Sequence, residues 1–324
     1  MLRLGATDRA LLSRPYMAQG CNLCFGGLKA VIFITGLCDD GCFYCPVNRE
    51  KLGHDVIFVN EEPVYSIDDI VLEVMRSGAS GASITGGDPL TVPHRVFNVI
   101  KSLKENFGYA FHIHLYTSGR YATRDVLLRL DHIGLDEIRF HPTHDSFLEK
   151  IKLAVKHTSI STGVEIPIAP GLLEWAKKII LYADRVGAEF VNLNELEFVS
   201  PNARQLMIRG YRESSKRPFT VEGALEAAVR IVEWARENVS IPVHFCPATF
   251  KDKIQTRNRL RNTAVLDRRW CETVTRDGTL LYYLIDANSI CLPVSHECIP
   301  GSTLIEVYPT RSRRPIVREE SCQK

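Results

Sequence analysis

No apolar run in the 324-residue chain approaches the roughly 20 residues that a transmembrane helix needs, so a helical membrane protein is not expected. The first residues, Met1-Leu2-Arg3-Leu4-Gly5, carry neither the long apolar segment nor the small-residue cleavage site of a secretory signal, and a cytoplasmic location is the expectation. Charge of one sign is also lacking. The 40 Lys and Arg against 38 Asp and Glu leave a net charge of +2, too little to imply nucleic-acid binding by itself. Low-complexity tracts are absent, and with 45% hydrophobic and 24% charged residues extensive disorder is not expected.

Cysteine, by contrast, is plentiful, with ten in the chain. A reducing cytosol disfavours disulfides, so these thiols are read chiefly as metal ligands. The length suits one large α/β domain with a small appendage.

From Ala30 onward apolar runs alternate with amphipathic stretches. Strands are predicted at Ala30–Thr35, Ala82–Thr85, Ala110–Tyr116, Glu137–Phe140, Val164–Ile168 and Phe190–Asn194. Helices fall between them, at Ser66–Ser77, Val92–Phe107, Arg124–His132, Phe147–Lys156 and Leu172–Val186. Continuous apolar runs such as Ala30–Thr35 suit parallel strands buried on both faces. Right-handed crossovers then give a partial (β/α)6 barrel over 30–245, preceded by an irregular lead over 1–29. Residues 246–324 read as a small appendage, a basic helix followed by antiparallel β-structure, with a hairpin turning at Arg276-Asp277-Gly278.

Directly after the first strand, Gly36-Leu37-Cys38-Asp39-Asp40-Gly41-Cys42-Phe43-Tyr44-Cys45 places three thiols on one short loop. Cys38, Cys42 and Cys45 suit three corners of an iron–sulfur cube, with Gly41 allowing backbone conformations that a bulkier residue resists. Three thiolates leave one iron open to a ligand. The alternative reading is a zinc site or unrelated buried thiols.

The C-x3-C-x2-C loop, with Tyr44 as the aromatic before its last cysteine, resembles the signature of the radical S-adenosylmethionine (SAM) superfamily. The similarity covers residues from about 30 to 200 and lies toward the branch related to pyruvate formate-lyase activating enzyme, in a group found in archaea. It implies a [4Fe–4S] cluster whose open iron is chelated by SAM. Reductive cleavage then yields methionine and a 5′-deoxyadenosyl radical that abstracts hydrogen from a substrate. Gly86-Gly87-Asp88-Pro89, ending the second strand, resembles the family's GGEP motif, whose backbone meets the SAM amino group; Asp88 stands where Glu is commoner. Thr117 and Ser118 end the third strand, where the resemblance implies contacts to ribose or carboxylate. Arg139 and His141 share one face of the fourth strand. A buried Arg139 needs an anion, which is either SAM's carboxylate, an acidic substrate, or Glu165 in a structural salt bridge. Asn192 and Asn194 share a face of the sixth strand and suit ribose hydroxyls or substrate. No histidine is assigned as acid or base.

A second pair, Cys21 and Cys24, has the spacing to grip one metal, either zinc or an auxiliary cluster, with partners from Cys246, Cys271, Cys291, Cys298, His244 or His296. Buried thiols or a redox pair are the alternative. The basic stretch Lys251, Lys253, Arg257, Arg259 and Arg261, with Arg268 and Arg269, hints at RNA but forms no clean stripe, so a solvated face is favoured. The substrate class stays open between a partner protein, RNA and a small molecule. An electron donor such as ferredoxin or flavodoxin is expected, and a non-catalytic zinc or iron–sulfur binding protein is the competing class.

Overall fold

The computed structural model describes residues 17–285, 290–294, 299–314 and 316–322. The lead that reads as irregular contains a helix, α1 (Gln19–Gly26). Glycines at both its ends and the absence of a side-chain cap give it little helical signal of its own. Tertiary contact supplies what propensity does not. Asn258 donates to the Phe25 carbonyl at 3.0 Å and Asn262 to Gly26 and Gly27 at 3.2 and 3.1 Å, satisfying carbonyls that a helix end leaves open.

β1 (Lys29–Phe33) is followed by a short ribbon, β2 (Phe58–Val59) and β3 (Glu62–Pro63), and then by strand and helix in alternation. These are α2 (Ile67–Arg76), β4 (Gly81–Thr85), α3 (Pro93–Phe107), β5 (His112–Thr117), α4 (Arg124–His132), β6 (Glu137–Phe140), α5 (Leu148–His157) and β7 (Ser161–Ile168). After them come α6 (Leu173–Val186), β8 (Phe190–Glu195), α7 (Ser200–Ile208), α8 (Ala224–Asn238) and β9 (Val243–Cys246). α2 begins where expected, because Ser66 and Asp69 cap each other reciprocally.

The strands form one sheet in the order β3-β2-β1-β4-β5-β6-β7-β8-β9, parallel from β1 to β9 except for the antiparallel ribbon at the β2 edge. The six predicted strands and the five helices between them are present, and β9 adds a seventh parallel strand. The ribbon and α7 are too short in pattern to show in the sequence. Among the described residues β3 and β9 are the sheet's two edges, so the barrel is partial.

The chain covers that open side itself. After β9 run a short turn (Ala248–Phe250), a π-helical stretch (Lys251–Thr256) and α9 (Arg257–Asp267). Phe250 packs on Phe25 of α1 with ring centroids 4.3 Å apart, and Arg259 grips Glu61, between β2 and β3, through two 2.8 Å bonds.

Beyond α9, β10 (Thr273–Val274), β11 (Leu280–Ile285), β12 (Ile290–Leu292), β13 (Ser302–Val307) and β14 (Ile316–Ser321) make the expected antiparallel sheet. Its inner residues Leu280, Ile305 and Val307 close on Ala264 of α9. Arg76 of α2 and Arg313 both reach Asp267 at 2.8 Å, and Arg313 also meets Glu272 at 2.7 Å.

One expectation needs correction here. Cys271 and Cys291 form a disulfide and Cys322 is also disulfide-bonded, so Cys271 and Cys291 have no thiolate to offer a metal. Cys298 and His296 lie outside the described residues. No helix among the described residues is long and apolar enough to cross a membrane.

Candidate active site

Alternation along the parallel strands turns every second side chain toward the barrel axis. Tyr116 of β5, Arg139 of β6, Glu165 of β7, Asn192 and Asn194 of β8 and His244 and Cys246 of β9 line one chamber of about 600 Å³. At its mouth stand Cys38, Cys42 and Cys45, Gly86 and Gly87, and Thr117 and Ser118. On its inner wall stand Cys21 and Cys24 of α1, which face it one helical turn apart.

Arg139 is the electrostatic centre of the interior. Its Nη1 donates to Glu165 at 2.8 Å and to the Tyr116 hydroxyl at 3.2 Å, its Nε donates to Glu137, and its Nη2 reaches Cys21 Sγ at 3.4 Å. Burial would raise both carboxyls, but the guanidinium overrides it. Glu137 is drawn down to about 2, and Glu165 is also lowered, with help from Asn194 and Asn192. Burial disfavours the charged Arg139, yet the negative groups around it hold it protonated.

Of the anions that the sequence offers Arg139, the structure pairs it with Glu165. Asn192 is likewise engaged, donating to Glu165 at 3.3 Å and to Cys21 Sγ at 3.4 Å. Asn194 differs. It lines the chamber and donates to Glu165 at 2.9 Å, while its buried Oδ1 has no partner among the described residues.

The mouth is built from two interlocked loops. Gly87 N donates to Thr35 O and Asp88 N to Leu37 O, each at 2.8 Å, which zips the Gly-Gly-Asp turn to the cysteine loop. A Cβ on Gly87 would lie 2.3 Å from the Leu37 carbonyl, so only glycine permits this approach. The Asp88 carboxylate, 2% exposed, accepts from Leu90 N and Ser118 N at 3.0 Å each, from Thr117 Oγ1 at 3.0 Å and from Ser118 Oγ at 2.6 Å.

Thr117 and Ser118, read as ligand-facing from the sequence, therefore spend their hydroxyl protons on Asp88. Their remaining oxygen lone pairs accept from Gly119 N and Arg120 N. Removing the carboxylate orphans several buried donors at once. Asp88→Ala is expected to lose about 3 kcal/mol of stability in urea denaturation, with Asp88→Asn losing less.

The cysteine loop is pinned from outside by Asp40 to Arg120 at 2.8 Å and by Asp39 to the Tyr121 hydroxyl. Tyr44 points inward, where its hydroxyl lies 2.8 Å from His141 Nε2. His141 Nδ1 donates to the Glu165 carbonyl at 2.7 Å, which makes Nε2 the acceptor and Tyr44 the donor. Burial keeps His141 neutral by lowering its pKa, in agreement with that tautomer. Tyr44 thus braces the loop against the barrel wall. Burial raises the Cys38 thiol and pushes Cys42 up to about 12, so cluster loading must release protons.

Two chamber groups escape a sequence reading. Lys251 and Gln255 come from the π-helical stretch and line the chamber, with Lys251 Nζ 2.9 Å from Glu197. Lys251 reads as part of a basic face in the sequence, and only the fold turns it inward. A π-helical stretch is rare and concentrates at functional sites, a signal that helical periodicity does not carry.

The donor set at the mouth fits an iron–sulfur cluster. Three free thiols follow one strand end and open on one void. Among the described residues no three His, Cys, Asp or Glu side chains close around a single metal ion, at the mouth or on the inner wall. The unpartnered Asn194 Oδ1 suits a hydroxyl or amino donor, as a nucleoside ligand provides.

A family model described as the radical SAM superfamily matches residues 32–159. A Methanocaldococcus jannaschii protein whose name provisionally makes it a glycyl-radical enzyme activating enzyme is 35% identical over 276 residues, covering 82% of this chain and 72% of that protein. Among solved structures, Streptococcus suis SuiB bound to its precursor peptide SuiA has a TM-score of 0.48 at 13% identity, over 69% of this chain and 50% of that one. Escherichia coli coproporphyrinogen III oxidase, described as a radical SAM enzyme, has a TM-score of 0.42 at 13% identity, over 70% of this chain and 57% of that one. The chain thus aligns with about half the length of SuiB.

Proposed function

On the premise that this chain belongs to the radical SAM superfamily, whose members cleave SAM reductively at a [4Fe–4S] cluster, we propose which residues do so here and where the substrate sits. Cys38, Cys42 and Cys45 hold the cluster. The cluster and SAM supply the hard chemistry, a 5′-deoxyadenosyl radical. This chain binds, orients and shields. The backbone of Gly86 and Gly87, bared beside the cysteine loop, receives the polar end of SAM. Asn194 Oδ1 accepts from a hydroxyl of SAM or of the substrate. The chamber holds the hydrogen donor away from water, above the Arg139, Glu137 and Glu165 floor.

The observation that carries this reading is that the three loop thiols, the Gly86-Gly87 turn and the inward polar ring line a single void. A cytoplasmic setting belongs to the same proposal, supported by the six thiols free among the described residues, which oxidation would compromise, while the Cys271–Cys291 disulfide in the antiparallel sheet speaks for a less reducing one.

The name of the 35% identical relative favours a partner protein as hydrogen donor, the radical being passed to one of its glycines. An RNA substrate has less support, since Lys251 is paired with Glu197 and Arg259 with Glu61, which removes two cations from the presumed face.

The test is anaerobic reconstitution with iron and sulfide, reduction by dithionite or by flavodoxin, and quantitation of 5′-deoxyadenosine from SAM. Production that needs both reductant and iron is expected. A reduced, cluster-loaded protein that yields none in the presence of any candidate substrate defeats the proposal.

A further inference from the structure

Outside the mouth trio, three further thiols are free among the described residues, and all three line the same chamber: Cys21 and Cys24 from α1 and Cys246 from the end of β9. We propose that these three hold a second iron–sulfur cluster on the inner wall of the chamber, separate from the one at the mouth.

The placement of α1 is built rather than incidental. Gly20 allows the helix to press on the barrel interior, for a Cβ there would lie 2.6 Å from His114 Nδ1 and 2.7 Å from Arg139 Nη2. Gly20 N donates to Glu137 at 3.2 Å. This seat fixes Cys21 Sγ beneath two nitrogen donors, Arg139 Nη2 and Asn192 Nδ2, each at 3.4 Å. Such N–H···S bonds and an adjacent cation offset the charge of a ligating thiolate and tune a cluster's potential. Cys246 enters from β9, beside Asn194 in register, with Lys251 five residues on lining the same wall.

The chemistry of the set favours iron and sulfide over zinc. Structural zinc takes four protein ligands in a closed tetrahedron. These three thiols do not close around one ion. Cys271 and Cys291 are committed to their disulfide in the other sheet, and His244, which lines the same chamber, does not complete a set of ligands around one ion with these thiols. Three thiolates spread over two elements suit the corners of a larger cluster, with one iron left open to the chamber.

The experiment removes the mouth site first, so that its outcome is independent of SAM cleavage. The Cys38→Ala/Cys42→Ala/Cys45→Ala variant is reconstituted anaerobically, desalted, and assayed for iron, sulfide and zinc, with electron paramagnetic resonance after reduction. About four irons per chain are expected to remain, against about eight in the unaltered protein. Adding Cys24→Ser and Cys246→Ser should take the count below about one, with circular dichroism showing that the fold survives. Zinc without iron, or no metal at all in the folded triple variant, overturns the proposal. If the triple variant does not fold, the unaltered chain decides, since about four irons there overturns it and about eight supports it.

Discussion

Replacing Cys42 with alanine is expected to reduce 5′-deoxyadenosine formation at least about 100-fold, to the background of the assay, because the altered residue is a cluster ligand rather than a support. Cys42 sits mid-loop, and its neighbours' hydrogen bonds hold the loop without it. Asp39 and Asp40 tie to Tyr121 and Arg120, Tyr44 ties to His141, and Asn202 donates to the Tyr44 carbonyl at 3.0 Å. The melting temperature of the metal-free variant should therefore stay near that of the parent, while iron binding at the mouth fails. The pairing of the two readouts is decisive. Lost activity with an unfolded chain says nothing of ligation, and activity retained within tenfold removes Cys42 from the ligand set.

The largest effect on stability is expected at Arg139. It is 3% exposed and lies between Glu137, 1% exposed, and Glu165. Arg139→Met leaves two buried carboxylates without their cation, which costs about 3–5 kcal/mol at pH 7. For a chain whose total stability is about 5–15 kcal/mol, that is a large share.

The pH dependence separates this cause from lost packing. In the parent the folded carboxyls titrate below the ordinary value of about 4.3. Their contribution is therefore present above that value and lost as pH falls toward about 2, where Glu137 takes up its proton. In the variant, burial loses its main opponent, only His112 acting against it at Glu137 and Asn194 and Asn192 at Glu165, and both carboxyls rise. Protonating them then relieves the strain, so the deficit is greatest at neutral pH and shrinks as pH falls toward 5. Urea denaturation of both metal-free proteins at pH 7 and pH 5 measures this. A deficit below about 1 kcal/mol, or one that does not change with pH, refutes a buried charge cluster. Arg139→Lys should recover only part of the loss, because one ammonium cannot reproduce the guanidinium's contacts to Glu137, Glu165, Tyr116 and Cys21.

The strands and the cysteine loop were legible because their signals are local. A parallel strand buried on both faces announces itself as an apolar run, as in Lys29–Phe33 and Gly81–Thr85. A cluster loop announces itself by spacing. Helix α2 was legible from Ser66 and Asp69, whose reciprocal cap lies within four residues. Helix α1 was not, because the groups that complete it, Asn258 and Asn262, lie more than 230 residues away. The intramolecular partners of Thr117, Ser118 and Tyr44 were hidden for the same reason. Each has a hydroxyl at a strand end or loop that suits a ligand, and each is claimed by Asp88 or His141 from another element.

The sequence by itself determined the strand and helix alternation, the position of the cysteine loop at a strand's carboxyl end, and hence the class of chemistry, since all three depend on residue type over short separations. Only the tertiary structure decided which polar groups are free. Arg139 and Glu165 found each other, while Asn194 Oδ1 is among the buried polar atoms left without a partner. Lys251 turned from a presumed basic face into the chamber, and α1 closed the interior with two thiols. A buried donor or charge must be satisfied by whatever group the fold brings within about 3 Å, and that neighbour is set by packing rather than by sequence separation.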